Sequence, residues 1–411
     1  MLTSATLPLL TLESRIKRRL RAHLREIGFV RTKDGLLRLP SNDKESIRAF
    51  HRKQRSERLR AESSFIQDKF PRCLSYFASG SDVYPEEITP RLERIHSKTL
   101  GSDLFRLASL TWSIPVSLGY GRRLRFLVWD DSNNKLMGLI ALGDPVFNLR
   151  ARDDMIGWDS KQRKERLVHV MDAYVLGAIP PYNMILTGKL LACLVRTREM
   201  YDVFSTQYSS TQGVISGKMK NASLVMVTTS SALGRSAIYN RLKLDGVQYF
   251  ESIGYTSGWG HFHIPDDLFS DMRAYLKSRG HAYFNNNKFG EGPNWRMRTV
   301  RETLELLDMN PDLLRHGIVR EVFVCRLAEN AERVLKGEVT RPYRKNLLTT
   351  HQVSQLALER WVQPRAQRKP EFRYWQNTSL TDLLDPDKDG SLSRNWLSAL
   401  SRKQRRGGHI S

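Results

Sequence analysis

Side chains that could transfer protons are concentrated around one predicted strand, "LVHVMDAYVLGAIPP", and the polar segment that precedes it. Asp172 lies in that strand, Asp153 lies upstream in "NLRARDDMIGWD", and Tyr182 follows the proline pair. A carboxylate can act as a general base and a tyrosine as a general acid. If the chain is an enzyme, we expect Asp153 or Asp172 to be the base. The acid would be Tyr182 or Tyr255. Each residue has a structural alternative, because Asp172 also suits a strand cap and Tyr182 also suits packing against the prolines before it.

Further polar residues are expected to line the same concavity. They come from the segment after a predicted hairpin, from the turn after the prolines, and from "SAIYNRLKL" and "ESIGY". These residues are Asn148, Arg150, Arg152, Asn183, Gly188, Lys189, Asn240 and Tyr255. The donors and acceptors of residues 148–153 need partners when buried, so they bond either a ligand or one another. We predict a polar site, with internal arginine–aspartate pairing as the alternative.

The elements that would position these residues form a mixed α/β domain. "RLRFLVWDDSNNKLMGLIALG" predicts a β-hairpin, and "LVHVMDAYVLGAIPP" and "NASLVMVTTSSA" predict further strands. "ILTGKLLACLVRTREMYDVFSTQY" predicts one helix, and "VQYFESIGYTSGWGHFHIP" predicts closing strands. "REVFVCRLA" predicts a strand that adds to the central sheet. We therefore predict the α/β (α+β) class, with a mixed central sheet, flanking helices and the proline break facing the polar segment on one side of that sheet.

The two ends of the chain have a different character from this centre. "LESRIKRRLRAHLREIGF" places Ile16, Leu20 and Leu24 at helical spacing with basic residues on the other faces, which predicts a basic helical N-terminal region. The C-terminal part is predicted to be a helical extension that ends in the basic tail "SRKQRRGGHIS". The predicted domains are 1–90 (basic helical), 91–265 (α/β), 266–340 (helices with an added strand) and 341–411 (C-terminal extension and tail).

Net charge is the strongest global signal in the sequence. Lys and Arg number 66 against 43 Asp and Glu, which gives a formal net charge of +23. Such an excess attracts polyanions and favours nucleic acid as a partner. The residues expected to contact phosphates are Arg15, Arg18, Arg19, Arg52, Lys53 and Arg55. The alternative is a basic surface that is merely solvated.

Several classes of function have no supporting motif in the sequence. No apolar run approaches the roughly 18 residues that would span a bilayer, so we expect a cytoplasmic protein that does not bind membranes. There is no P-loop, dinucleotide fingerprint or nucleophile elbow. Cys73, Cys193 and Cys325 form no CxxC pair, and we expect buried thiols. We predict no metal: His261 and His263 lack a third ligand, and "DPDKDGSLSRNW" lacks the glutamate of an EF-hand loop.

One part of the central domain resembles a known fold. The strand–loop–helix order of "DAYVLGAIPPYNMILTGKLLACL", with the later "SSALGRSAIYNRL", is similar to the acyl-CoA-binding half of the GNAT acetyltransferase fold. The resemblance implies a GNAT-like sheet. If the chain is an enzyme, the turn over residues 183–189, where backbone amides begin a helix, would cradle an anion. Of the phosphate-binding motif of that family, only Gly188 is present, so no cofactor is predicted.

Longer runs resemble a bacterial defence family. "LMGLIALGDPVFNLRARDDMIGWD", "VMDAYVLGAIPPYNMILTGKLLACL", "GYTSGWGHFHIP" and "GPNWRMRTVRETLELL" followed by "LLRHGIVREVFVCRLA" are similar, in order, to the Druantia anti-phage protein DruA family. The resemblance covers roughly residues 70 to 330. It implies a component of a multi-gene system that restricts phage and includes a helicase-type companion. It assigns no catalytic residue.

Three functions therefore compete. The first is a nucleic-acid-binding defence component without chemistry of its own, accessory to the helicase-type protein. The second is a GNAT-like acyltransferase. The third is a scaffold for the other defence proteins, with the aromatic "PEFRYWQNTSLTDLLDPD" as its docking segment. We favour the first, because net charge supports it independently of any resemblance.

Overall fold

The computed structural model describes residues 11–31, 37–38, 41, 43–117, 119, 121–212, 219–261, 263–284 and 293–388. The basic tail and the end of "DPDKDGSLSRNW" lie outside these residues. No helix in the described part of the chain is long and apolar enough to cross a membrane.

Helices occur along most of the described chain. They are α1 Leu12–Glu26, α2 Lys44–Ala61, α3 Ser63–Cys73, α4 Leu100–Leu110, α5 Arg150–Ile156, α6 Ser160–Arg166, α7 Thr187–Leu194, α8 Arg198–Tyr208, α9 Asp266–Ser278, α10 Pro293–Leu306, α11 Ala331–Lys336, α12 Thr350–Ala357, α13 Gln363–Arg368 and α14 Leu380–Leu384. The strands are β1 Val30–Arg31, β2 Leu37–Arg38, β3 Pro90–Arg94, β4 Arg123–Asp130, β5 Lys135–Gly143, β6 Val170–Ala178, β7 Ser210–Gln212, β8 Met219–Asn221, β9 Met226–Ser230, β10 Lys243–Leu244, β11 Val247–Gln248, β12 Glu251–Tyr255 and β13 Glu321–Arg326.

A seven-stranded sheet forms the centre of the larger unit. Its strand order is β12-β13-β9-β6-β5-β4-β3. Every neighbouring pair is antiparallel except β6 and β9, which are parallel and pair only over Val170–Asp172 against Met226–Thr228. The mixed sheet with flanking helices confirms the predicted α/β class. The hairpin β4–β5 is confirmed as well, and so is the addition of β13 to the sheet.

Apolar side chains cover both faces of this sheet. One cluster joins the sheet to α7, α8 and α12 through residues such as Leu191, Phe204 and Val353. A second cluster joins β6, β9 and β13 to α5, the α5–α6 turn and α11 through Ile156, Trp158 and other buried residues. Helices packed on both faces explain why β5 is buried along almost its whole length.

The predicted helix over residues 185–208 is wrong, because two helices occupy that stretch. α7 ends at Leu194, and α8 begins after Thr197, whose side chain accepts a hydrogen bond from the backbone N–H of Met200. Arg196 lies in the break and donates to the carbonyl oxygens of Arg326 and Asn346, both at 2.8 Å. A good N-cap and tertiary hydrogen bonds therefore override the continuous helical pattern.

The expected docking segment near the C-terminus is part of the protein's own core. Phe372 and Trp375 are fully buried, and Leu380 and Leu383 of α14 are buried beside them. Tyr374 alone of the aromatic residues in that segment remains strongly exposed. Phe372 and Trp375 therefore stabilise the core of this chain and are not exposed to bind companion proteins.

Two compact units are formed by discontinuous parts of the chain. The first contains Met1–Gln54 and Thr256–Arg320, and the second contains Arg55–Tyr255 and Glu321–Ser411. The first is mainly helical and is centred on α1, α9 and α10. The second holds the seven-stranded sheet. The four-domain division proposed from sequence stays a prediction.

Candidate functional site

Arg152 is the centre of a buried network in the segment after β5. Its side chain is fully buried. It donates to the carbonyl oxygens of Val146 and Phe147, each at 2.8 Å, and makes two bonds to Asp153 Oδ1 at 2.9 and 2.7 Å. The guanidinium carbon lies 5.5 Å from the centre of the Trp158 ring. Arg152 therefore fixes the loop over residues 146–147 to helix α5.

Asp153 has no lone pair to spare for a reaction. Besides Arg152, its carboxylate accepts from Trp158 Nε1 at 3.0 Å, Arg163 at 3.0 Å and the backbone N–H of Leu149 at 3.1 Å. Both carboxylate oxygens are therefore occupied by donors, two of which are arginine guanidinium groups. The arrangement favours a structural role for Asp153 over the predicted role of general base.

The neighbours of this network face solvent. Asn148 is exposed, and Arg150 has 93% of its side chain exposed and a 3.3 Å ion pair with Asp154. The dense run of charges thus separates by helical phase into buried pairs and solvated ones. Internal arginine–aspartate pairing, the alternative reading of this segment, accounts for both sets.

Asp172 is the predicted acid–base residue whose surroundings most resemble a reactive site. It is partly exposed in β6, and its Oδ1 accepts a 2.6 Å hydrogen bond from the buried hydroxyl of Thr228. Burial raises the pKa of Asp172 to about 6, although Thr228 and Arg152 oppose the rise. Asp172 and Thr228 are the last backbone partners of β6 and β9.

Asp172 and Tyr182 lie at opposite ends of β6, so the single concavity predicted from sequence does not form. In the antiparallel register, Gly143 pairs with Asp172, whereas Gly138 pairs with Ala178. The segment after β5 therefore reaches the Asp172 end of β6. The proline break lies at the other end, about 20 Å away for six residues of strand. The strand direction separates the two polar segments.

Tyr182 belongs to a network that closes the β4–β5 hairpin. Its hydroxyl donates to Asp130 Oδ2 at 2.9 Å and accepts from Asn133 Nδ2 at 2.9 Å. Asp130 is fully buried and also accepts from Thr89 and Ser132. Burial, followed by the charge of Asp130, raises the pKa of Tyr182 well above its usual value. The phenol holds its proton tightly, which disfavours it as a general acid.

The remaining residues of the predicted anion cradle lie near this end of β6. Asn183 is exposed, and a side chain built on Gly188 would meet Ile238 only at 4.0 Å. Lys189 Nζ lies 5.0 Å from the centre of the Trp361 ring. Burial lowers the pKa of Lys189, and the charges of Arg241 and Arg360 lower it further.

Asn240 serves the structure at the edge of the sheet. Its amide donates to both carboxylate oxygens of Glu321 at 3.1 Å and to the carbonyl of Ser236 at 2.8 Å. Ser252 also donates to Glu321 at 2.9 Å. Tyr255, three residues further along β12, is half exposed and takes no part in these bonds. The buried carboxylate of Glu321 thus holds the loop after β9, and neither residue is brought to Asp172.

Two of the predicted phosphate contacts on α1 are bound within the first unit. Arg15 pairs with Asp271 of α9 at 3.3 Å, and Arg19 pairs with both Asp267 and Asp271. Ile16, Leu20 and Leu24 are buried on the same helix. His23 Nε2 lies 2.7 Å from the carbonyl oxygen of His263. These contacts fix the orientation of α1 on α9.

The face of α1 turned away from α9 carries exposed arginines. Arg18, Arg21 and Arg25 are exposed, and none forms an ion pair with another residue that the structure describes. With Ser14, Lys17 and Ala22 they line a shallow open groove along the helix. Only Arg18 was predicted. The signal for the other two was their helical phase, since positions 18, 21 and 25 stand opposite the stripe of Ile16, Leu20 and Leu24.

The predicted contacts on α2 divide in the same way. Arg52 is exposed and Lys53 pairs with Glu26. Arg55 is only 3% exposed and donates to the carbonyl oxygens of Trp112, Lys388 and Leu383. The prediction that Arg55 contacts phosphates is therefore wrong, because its guanidinium is buried in the second unit and bonded to backbone carbonyl oxygens.

Histidines fill the interior of the first unit. His51, His263 and His316 are each no more than 5% exposed, and the rings of His263 and His316 lie 5.9 Å apart. Nε2 of His263 lies 2.8 Å from the carbonyl oxygen of Leu313. Across the described ranges, no group of three or more His, Cys, Asp or Glu is arranged to hold a metal ion.

Comparison with known proteins places the chain in a family. The sequence model described as Druantia protein DruA matches residues 41–337, so α1 precedes the matched part. The Druantia protein DruA of Escherichia coli (strain UMEA 4076-1) is 53% identical over 375 residues, which cover 91% of this chain and 93% of that protein. No solved structure matches the chain, and the GNAT likeness of its sheet stays a prediction. The chain belongs to the Druantia protein DruA family.

Proposed function

We propose that this protein, a component of a Druantia anti-phage system by its family, works by binding nucleic acid through the outward face of α1. The observation that carries the proposal is the row of exposed arginines on that face, Arg18, Arg21 and Arg25, without acidic partners among the described residues. Cations without an acidic partner among the described residues can bind phosphates directly, whereas Arg15 and Arg19 already pair with aspartates of α9.

Charge on the whole chain supports the same function. The net charge of +23 attracts a polyanion over several ångströms at physiological salt. The arginine row then provides short-range contacts that such attraction alone lacks. Since each neutralised phosphate releases counterions, affinity should fall steeply as salt rises.

The test is the salt dependence of binding. Labelled DNA and RNA are titrated with the full chain between about 50 and 200 mM salt, and the slope of log K against log salt is measured. The triple variant Arg18→Gln, Arg21→Gln, Arg25→Gln should reduce that slope by about 3 on duplex DNA, because three phosphate contacts are lost.

A matched control removes the same charge elsewhere. Arg150→Gln, Arg333→Gln and Arg373→Gln together delete three exposed cations from the second unit. This variant should keep the slope of the unsubstituted protein. Equal losses in both variants would reduce α1 to one part of a diffuse basic surface, and no binding to any nucleic acid at the lowest salt would refute the proposal.

The same proposal includes protein partners. We expect other proteins of the Druantia system, including a helicase-type component, to bind this chain. Co-purification of the tagged chain with the proteins encoded by its operon tests this expectation. One observation favours the acyltransferase alternative: the backbone pairing of β6 and β9 ends at Asp172, whose pKa is raised to about 6. A bound acyl-CoA must raise the melting temperature. No rise with acetyl-CoA would remove that alternative.

A further inference from the structure

The outward face of α1 has the shape and composition of a helix that reads a duplex. At about 100° per residue, Ser14, Arg18, Arg21 and Arg25 fall within an arc of about 60°. They extend over about 16 Å of helix, which is three turns. The face is therefore a narrow straight ridge, and its long arginine side chains project from one line.

The composition of this ridge argues against a single strand as the ligand. Sequence-tolerant recognition of single strands depends on aromatic side chains that stack on bases. The groove along α1 is lined by Ser14, Lys17, Arg18, Arg21, Ala22 and Arg25. None of these is aromatic, so this face offers cations and hydrogen-bond donors without a stacking platform.

The dimensions of the ridge select between two kinds of duplex. An α-helix with its side chains is about 10–12 Å across. The major groove of B-form DNA is about 12 Å wide and admits a helix, whereas the major groove of A-form RNA is too narrow for side chains to read. Ala22 and Ser14 have small side chains, so the backbone of α1 can approach base edges closely at these two positions.

Helix α1 has the fixed orientation that a helix needs to recognise base edges. Arg19 bonds to both Asp267 and Asp271, and Arg15 bonds to Asp271, so two turns of α1 are tied to α9. The buried stripe of Ile16, Leu20 and Leu24 fixes its rotation. The outward arginines are therefore presented in one direction and need not be ordered by the ligand.

We propose that α1 enters the major groove of duplex DNA and that Arg18, Arg21 and Arg25 contact guanine edges as well as phosphates. The inference rests on the proposed function and adds the class of nucleic acid and the groove. Arginine binds the O6 and N7 acceptors of guanine through two hydrogen bonds, which lysine reproduces less well.

The experiment compares four probes of one sequence: duplex DNA, duplex RNA, single-stranded DNA, and duplex DNA in which 7-deazaguanine replaces guanine. The last probe removes the N7 acceptor from the major groove and leaves the phosphate charge unchanged. The full chain should bind the natural DNA duplex at least about tenfold more tightly than each of the others, as loss of one bidentate contact predicts.

A charge-preserving variant separates base contacts from phosphate contacts. Arg18→Lys, Arg21→Lys and Arg25→Lys together should keep the salt slope and lose the preference for guanine over 7-deazaguanine. Retained preference for guanine in the glutamine variant, which removes the guanidinium donors, would show that another part of the chain reads the groove, and this would overturn the inference.

The failures of the two proposals are distinguishable. Equal affinity for all four probes, with binding lost in the glutamine variant, upholds nucleic-acid binding by α1 and overturns major-groove recognition. Preference for the RNA duplex or for the single strand also overturns it. Absence of binding to every probe removes both proposals.

Discussion

At the scale of single residues, the predicted acid–base groups differ mainly in how completely their hydrogen-bonding capacity is used. Asp153 and Tyr182 are saturated by partners, and each joins two segments of chain. Asp172 has one strong side-chain bond and a raised pKa of about 6. Of the three, Asp172 therefore has the surroundings that acid–base chemistry would use best, since it is partly exposed, keeps unused hydrogen-bonding capacity and has a pKa raised toward neutrality.

Removal of the Tyr182 hydroxyl should destabilise the protein without any effect on ligand chemistry. Tyr182→Phe leaves the buried Asp130 carboxylate short of one donor, which costs about 1–3 kcal/mol. Tyr374→Phe is the control, because that hydroxyl is on an exposed side chain and its loss should stay within about 0.5 kcal/mol. Urea unfolding measures both. Equal stabilities for the two variants would contradict the structural role.

At the scale of elements, helical phase decides the role of each charge. On α5, Arg150 and Arg152 are two residues apart, yet one is 93% exposed and the other fully buried. On α2, Arg55 lies on the stripe that also contains Ile47, His51 and Leu59, so it points inward. The same spacing that places apolar residues in the core places some arginines there, where carbonyl oxygens satisfy them.

The two arginines of α5 form a matched pair for a stability test. Arg152→Met leaves the carbonyls of residues 146 and 147 and much of Asp153 without donors, so the free energy of unfolding should fall by about 3–5 kcal/mol. Arg150→Met should change it by no more than about 0.5 kcal/mol. Denaturant unfolding gives the energies, and hydrogen exchange should show faster exchange in residues 144–149 of the first variant alone. Similar losses in both would count against the network.

At the scale of the whole molecule, net charge and buried histidines set the response to conditions. The excess of cations makes any interaction with nucleic acid sensitive to salt. Burial lowers the pKa of His51 and His263 to about 4 and that of His316 to about 3. Unfolded histidines titrate near pH 6.5. The first unit therefore has three groups that are neutral when folded and charged when unfolded in mild acid.

The sign of this effect predicts acid sensitivity. Stability from these histidines is fully present above about pH 6.5 and is lost as the pH falls toward about 4, because only the unfolded chain takes up protons in that window. Asp172, with its raised pKa, contributes in the opposite direction in the second unit. Urea midpoints measured from pH 7.5 down to about pH 5 should fall steadily.

His316→Asn tests the assignment. The amide oxygen can replace Nδ1 as the acceptor for the backbone N–H of Ile318, at 3.1 Å in the structure, while the titrating group is removed. The slope of unfolding free energy against pH should decrease by about 1.4 kcal/mol per pH unit. His281→Gln, at a partly exposed histidine, is the matched control. An unchanged slope in His316→Asn would refute the assignment.

The sequence by itself determined the family, the mixed α/β class, the hairpin, the added strand β13 and the buried stripe of α1, because each depends on local periodicity or on long runs that resemble the family in order. It did not determine which charges are available. The separation of Asp172 from Tyr182 follows from the antiparallel register of β5 and β6. The pairing of Arg15 and Arg19 with aspartates and the burial of Arg55 depend on partners up to hundreds of residues away in sequence. Tertiary structure alone decided these points, since an ion pair or a buried carbonyl partner is a property of distance in space and leaves no period in the chain.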